Sequence, residues 1–391
     1  MKHLNTYITE YIIKNKLDKP IDSEDHYKYF PKTKEELKKN IKECLDSKNY
    51  DLNCIDTSAI TDMSSLFYDT KLKDAIEKIN ISKWDVSNVT NMKYMFYECI
   101  NFTGKGLEKW NVCKVESMFN MFYACEKFTG ESIENWNVSN VTNMYYMFGD
   151  CYKLNCNLSK WDVSNVKDMS HMFYNCKIFE GKGLENWDVS NVTDTGNMFY
   201  NCKDLCCDLS SWKISKNNTK VSHMFMGCKN FDSDLSGWDV SNVTTMEHMF
   251  FGCESFKGKG LENWNVSKVK DISGMFNNCH KFNCDLNKWD VSNVKDMSYM
   301  FYNCGNFDCD LSKWDVSKVE NMYTMFEGCS KFKGKGLENW DVSKVESISY
   351  MFFDCINFDC DLSNWNVNNV KNMKRMFYNC NLKNTPKWYK E

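Results

Sequence analysis

Apolar residues recur along most of this chain on a fixed spacing. In the stretch from Trp161 to Phe179, W-D-V-S-N-V-K-D-M-S-H-M-F-Y-N-C-K-I-F, they follow two periods in turn. Leu158, Trp161 and Val163 form a short, partly alternating set, which predicts one brief strand. Met169, Met172, Phe173 and Cys176 then fall at i, i+3, i+4 and i+7, which predicts a helix of about two turns. The residue before the first Met is Asn, Ser, Asp or Thr in eleven of twelve units (Asp168 here, Lys220 in the exception). Those are the types preferred at a helix N-cap, so the helix is expected to start there.

The whole pattern repeats. Tryptophans stand at 84, 110, 136, 161, 187, 212, 238, 264, 289, 314, 340 and 365, in steps of 25 or 26 residues. The eleventh, twelfth and fifteenth residues after each are Met, Phe and Cys, and only the Trp212 unit runs one residue late. A repeat of this length predicts stacked coils that each contact only their neighbours. The expected fold is an α/β repeat solenoid, right-handed and elongated, each coil one short strand plus one short helix. About thirteen coils at about 4.8 Å per stacked strand give a body of roughly 60 Å.

Three segments follow from the register. Residues 1–50 are a helical segment and cap, 51–380 the solenoid, and 381–391 a terminal cap or tail. Within the solenoid, 51–83 is a worn first coil with Ile55 at the Trp position, and 84–380 are the twelve regular coils. Leu4, Tyr7, Ile8, Tyr11 and Ile12 predict an amphipathic helix over residues 3–16. Thr33 and Glu36 form a capping box, and the helix they start turns Leu37, Ile41, Cys44 and Leu45 to one face to cover the first coil. Residues 69–83 are expected to form a longer surface loop. At the far end Pro386 blocks continuation and Trp388 covers the last coil.

Charge and composition narrow the function. The 49 basic and 53 acidic residues are interspersed and leave a net charge of −4, so nucleic acid is not an expected partner. Neither an apolar core of signal-peptide length near Met1 nor a run of membrane-spanning length is visible, so no export signal or membrane span is expected. Twelve of 21 cysteines belong to the repeat column and are read as buried structural thiols, with no metal and no obligatory disulfides. Pairs such as Cys151 with Cys156 and Cys304 with Cys309 suggest zinc, but Gly replaces the second Cys in each long-turn unit. Gly181-Lys182-Gly183 and its copies lack the spacing of a phosphate loop and read as turn glycines. Asp162 and its equivalents alternate with Asn, which favours turn caps over calcium. The six histidines show no catalytic or zinc-protease spacing; His171, His223 and His248 each stand just before a repeat Met, on the solvent side of the expected helix. No cofactor and no enzyme activity are expected.

The motif W-D-V-S-N-V-x-x-M-x-x-M-F-x-x-C-x-x-F, with D-L-S-x-W between copies, resembles the repeat of the BspA-like leucine-rich-repeat surface proteins of bacteria and viruses, also called DUF285 or the Mycoplasma-type surface-protein repeat. The resemblance covers about Thr33 to Cys380 and includes P-K-T-K-E-E-L at Pro31–Leu37 and I-D-T-S-A-I-T-D-M at Ile55–Met63. It implies a leucine-rich-repeat-like solenoid and a surface or virion-associated role in attachment or protein interaction, without catalysis.

Candidate binding residues come from the variable columns. On a helical wheel Tyr97 points away from Met92, Met95, Phe96 and Cys99. Its equivalents include Tyr123, Tyr174, Tyr200, Phe251, Tyr302, Phe353 and Tyr378, an aromatic strip suited to gripping a protein or glycan. The alternative is that these rings lie flat along neighbouring helices. Two functions follow, an adhesion or interaction scaffold centred between Tyr174 and Phe251, or an architectural spacer without a ligand of its own.

Overall fold

The computed structural model describes residues 27–68 and 70–390. The amphipathic helix expected at residues 3–16 lies outside them. Helix α1 (Lys34–Asp46) starts at the expected cap: the Thr33 hydroxyl accepts the Glu36 N–H, and the Glu36 carboxylate reaches back to accept the Lys32 N–H at 2.6 Å. Leu37, Ile41 and Cys44 are buried and Leu45 packs partly against the same core. Lys34 Nζ ties the helix to the first coil through Asp62 at 3.0 Å and Ser64 at 2.9 Å. Ile55 is buried at the Trp position of that coil, as expected. The link to Trp84 differs from expectation, for it carries the short helix α2 (Thr70–Ala75), with Leu72 and Ile76 buried. Two apolar residues four apart on a loop are enough to dock one turn of helix onto the core.

From there the chain forms stacked coils, a repeat solenoid, but the elements within a coil are not the expected strand and helix. Parallel pairing is reduced to single bridges, and these fall on the residue expected to be the helix N-cap. One series runs Asp62, Asn91, Ser117, Asn143, Asp168, Asp194; a second runs Lys220, Thr245, Asp271 and on to Asn372. The interruption between Asp194 and Lys220 coincides with the extra residue of the Trp212 unit. The segment expected as a strand is instead a turn, closed by the Trp161 N–H on the Leu158 carbonyl at 3.0 Å.

The segment Met169–Cys176 is a run of overlapping turns, not a helix. The N–H groups of Met172, Tyr174 and Cys176 bond the carbonyls three residues back, at 3.1, 3.0 and 3.0 Å. Those of Met169, His171, Phe173 and Asn175 cross to the carbonyls of Asp194, Gly196, Met198 and Tyr200 in the next coil. Asp168 accepts the remaining Ser170 N–H at 3.0 Å, so the backbone donors from 169 to 176 are all satisfied. The side chain read as a helix cap therefore performs the same capture of an N–H two residues on, as the opening of a turn. His171 and Asn175 are left-handed, with φ of 58° and 60°, and this recurs ten and fourteen residues after nearly every Trp. Such residues cannot occur in an α-helix, and they let alternate side chains face inward at the spacing that imitates one.

The core is a set of columns. In the Trp161 unit Leu158, Trp161, Val163, Val166, Met169, Met172, Phe173, Cys176 and Phe179 are all buried. Rings stack from coil to coil, Phe173 on Phe199 at 5.5 Å and Trp161 on Trp187 at 6.4 Å. Each such side chain contributes roughly 1.5–3 kcal/mol through burial. The Trp and Cys columns also carry polar duties. Trp187 Nε1 donates to the Leu158 carbonyl of the coil before at 3.2 Å, and the Cys176 thiol to the Phe148 carbonyl at 3.0 Å. A buried donor needs such a partner, which explains why an indole and a thiol recur where apolar residues would otherwise serve. Burial pushes the Cys176 thiol well above its ordinary pKa. Gly183, at φ 90°, lies so near the preceding coil that a Cβ would fall 2.2 Å from Ser159 N. At the far end Trp388 stacks on Trp365 at 6.3 Å and donates to the Leu362 carbonyl at 2.9 Å, repeating the Trp geometry of the array.

Candidate functional site

The outward side chains of the turn segment build a ridge along the solenoid. The eight candidate aromatics occupy one position of it: Tyr97, Tyr123, Tyr174, Tyr200, Phe251, Tyr302 and Phe353 are half-buried and Tyr378 is exposed. They do not form one unbroken strip. Tyr97 stacks on Tyr123 at 5.1 Å, Tyr174 on Tyr200 at 4.6 Å and Phe353 on Tyr378 at 4.9 Å, while Phe251 and Tyr302 stand between coils bearing Met226, Asn277 and Glu327 at this position. Burial, followed by the neighbouring Tyr200 phenol and the Asp150 carboxylate, raises the Tyr174 pKa.

Sequence reasoning missed the residues that join the pairs. Tyr146 meets Tyr123 edge-on at 5.4 Å and Tyr174 at 5.6 Å, and it fits because Gly149 leaves the space; a Cβ there would lie 2.5 Å from the Tyr146 ring. Burial pushes the Tyr146 hydroxyl up to about 12. His171 stacks on Tyr146 at 4.3 Å. Both sit at the first left-handed position of their coils, where His171 was expected on the solvent side of a helix.

The second left-handed position carries amides that hydrogen-bond from coil to coil. Asn175 donates to Asp150 at 2.9 Å and Asn201 to Asn175 at 2.7 Å; farther along, Asn303 donates to Asn278 at 3.1 Å. Between them Gly227 and Gly252 take the position with no side chain, and a groove of about 420 Å³ opens. Tyr200, Met226 and Phe251 wall it, Asn201 and Asn278 close its ends, and Lys229 bridges Glu254 at 2.6 Å on its rim. Aromatic faces, amides and a charged pair thus converge in the span from Tyr200 to His280.

Beside the groove, the first left-handed position holds His223 and His248 in consecutive coils, their rings stacked at 5.1 Å and 15°. Glu247 Oε1 lies 3.4 Å from His248 Nδ1, and burial lowers the His223 pKa. The register of the two histidines in adjacent units was the available signal. The repeated Asp residues, by contrast, are committed locally, as Asp162 is to the Ser164 N–H at 3.1 Å. The cysteine pairs Cys151/Cys156 and Cys304/Cys309 are free thiols here.

The family described as Mycoplasma protein of unknown function, DUF285, matches residues 35–155, 100–212, 124–236, 219–338 and 304–389, which together run from 35 to 389 without a gap. The chain is a DUF285 protein. Its likeness to solved structures is shallow. A leucine-rich repeat protein from Eubacterium ventriosum, solved by crystallography at 2.50 Å, is 15% identical over 72% of this chain and 84% of that chain, with a TM-score of 0.37. The Toll–Spätzle complex of Drosophila is 12% identical over 82% of this chain and 44% of that chain, with a TM-score of 0.22. No curated protein matches the DUF285 chain. Among the described residues, no helix is long and apolar enough to cross a membrane.

Proposed function

We propose that this DUF285 chain is a non-enzymatic interaction scaffold, surface or virion-associated, that binds a protein or glycan on the aromatic ridge between Tyr174 and Phe251. The groove walled by Tyr200 and Phe251 carries this reading, because two consecutive glycines, Gly227 and Gly252, interrupt the column of polar side chains between Asn201 and Asn278 and leave ring faces lining the gap. Aromatic rings lose few rotors on binding and suit both sugar faces and interface cores. The non-enzymatic part rests on where the repeated polar groups go: Asp162 and Asp168 hold backbone N–H groups rather than facing a shared cleft. The test is to change Tyr174, Tyr200 and Phe251 together to Ser and measure attachment to a glycan array and to host cells, with circular dichroism as a check on folding. At least a tenfold loss supports the reading.

A second reading, an architectural spacer, is favoured by the Tyr174–Tyr200 stack at 4.6 Å, which uses ring faces within the chain itself. Unchanged attachment by the folded triple variant selects it.

A further inference from the structure

Among the described residues, three metal-ligating side chains come together at one place: His223, Glu247 and His248, whose ligand atoms all lie within 4.8 Å of one another. We propose that they bind one divalent transition-metal ion, zinc or a borderline neighbour such as nickel or cobalt, through two imidazole nitrogens and a carboxylate oxygen. The donor set selects the class, since calcium and magnesium prefer oxygen alone.

A further observation points to a ligand here. His248 Nδ1 is buried without a hydrogen-bond partner, 3.4 Å from Glu247 Oε1, a state that is costly unless something else satisfies it. The next coil places Gly274 at the same left-handed position, where a Cβ would lie 2.6 Å from His248 Nε2 and Cδ2. The His248 ring fills the space that a side chain there would take, so glycine at 274 is what accommodates it. The two imidazole rings are nearly parallel at 15°, so a shared ion requires one of them to tilt. Tetrahedral zinc with bonds of about 2.1 Å requires donors about 3.4 Å apart, so donors within 4.8 Å of one another need to close by about 1.4 Å at most. With His248 27% and Glu247 41% exposed, the cluster is within reach of an ion from solvent, and it rests on residues that do not line the groove.

The test uses the full chain stripped with EDTA and titrated with zinc by calorimetry. One equivalent is expected to bind. His223→Asn with His248→Asn should weaken that binding more than about 100-fold, beyond the 10- to 100-fold that loss of an outer partner brings. Asn is chosen because Asn120 and Asn197 hold this left-handed position elsewhere, so the backbone is preserved. His171→Asn should leave the affinity unchanged. Loaded with cobalt, the protein should show d–d bands without a thiolate charge-transfer band. Failure of the wild-type chain to take up zinc, equal affinity in the folded double variant, or a thiolate band would each overturn the assignment.

Discussion

Residues 172 and 174 sit two apart on one turn and live in different worlds. Met172 is buried within a column that is Met in all twelve regular coils, whereas Tyr174 lies half-buried in a column that also holds Gly149, Met226, Asn277 and Glu327. The inner wall is uniform because each side chain must fit the same side chain above and below it, so one change is felt by two neighbours. The outer ridge also meets its neighbours but keeps one side open to solvent, so a substitution there changes a surface. Stability is therefore concentrated inward and sequence variation outward, on the same few residues of backbone.

The sharpest break of that contrast is Met172→Asp against Tyr174→Asp. The first buries a carboxylate with no partner at a fully buried core position, and a loss of about 4 kcal/mol or more is expected. The second leaves its charge near water and should cost about 1 kcal/mol. Thermal or urea unfolding of the two variants decides; equal losses would mean that inner and outer faces have been exchanged.

A smaller effect tests whether the inner columns need their polar atoms. Trp187→Phe keeps an aromatic ring but removes the donor to the Leu158 carbonyl and some volume, and should cost about 2 kcal/mol. A loss under about 0.5 kcal/mol would make the Trp column a matter of ring stacking alone.

The inward columns were legible from the sequence because packing imposes them on every coil: Trp161, Met172, Phe173 and Cys176 were read as core, and they are. The element that carries them was not. Inward residues at i, i+3, i+4 and i+7 arise from an α-helix and equally from linked turns in which left-handed residues reverse the alternation. The discriminating signal lay one residue before the Cys, where Asp150, Asn175, Asn201, Gly227, Gly252, Asn278, Asn303, Gly328, Asp354 and Asn379 occupy ten of twelve units. Asn, Asp and Gly tolerate positive φ and are poor in helix interiors, so the column speaks for turns. On the ridge, Tyr174 through Phe251 were marked, while Tyr146 and the His223–His248 pair were missed. Contacts between coils depend on register, and those residues were weighed singly along the chain.

Thiol reactivity probes the same contrast chemically, at sites four residues apart. Cys202 is buried with its thiol bonded to the Phe173 carbonyl, while Cys206 is exposed. A maleimide reagent should label Cys206 at least about 100-fold faster in the native protein, as thiolate access governs the rate. Burial holds the Cys202 thiol well above its ordinary pKa, so raising the pH from 7 to 9 should leave it protonated and unlabelled. Mass spectrometry of peptides from the two sites reads the result, and comparable native labelling would show that the coils open readily.

The smallest effect separates turn from helix by its sign. Ala124 stands at the second left-handed position with φ of 56°, where ten other coils hold Asn, Asp or Gly. In a helix Ala→Gly destabilises by about 1 kcal/mol, because Gly loses more backbone freedom on folding. In a left-handed turn the same change removes a Cβ clash worth about 1–2 kcal/mol and gives back about 0.4–1 kcal/mol through the freer unfolded chain. Ala124→Gly should therefore stabilise the protein by about 0.5–1 kcal/mol. Its side chain is half-buried on the ridge, so little packing is lost with it. A raised melting temperature supports the turn, and a lowered one would return the segment to a helix.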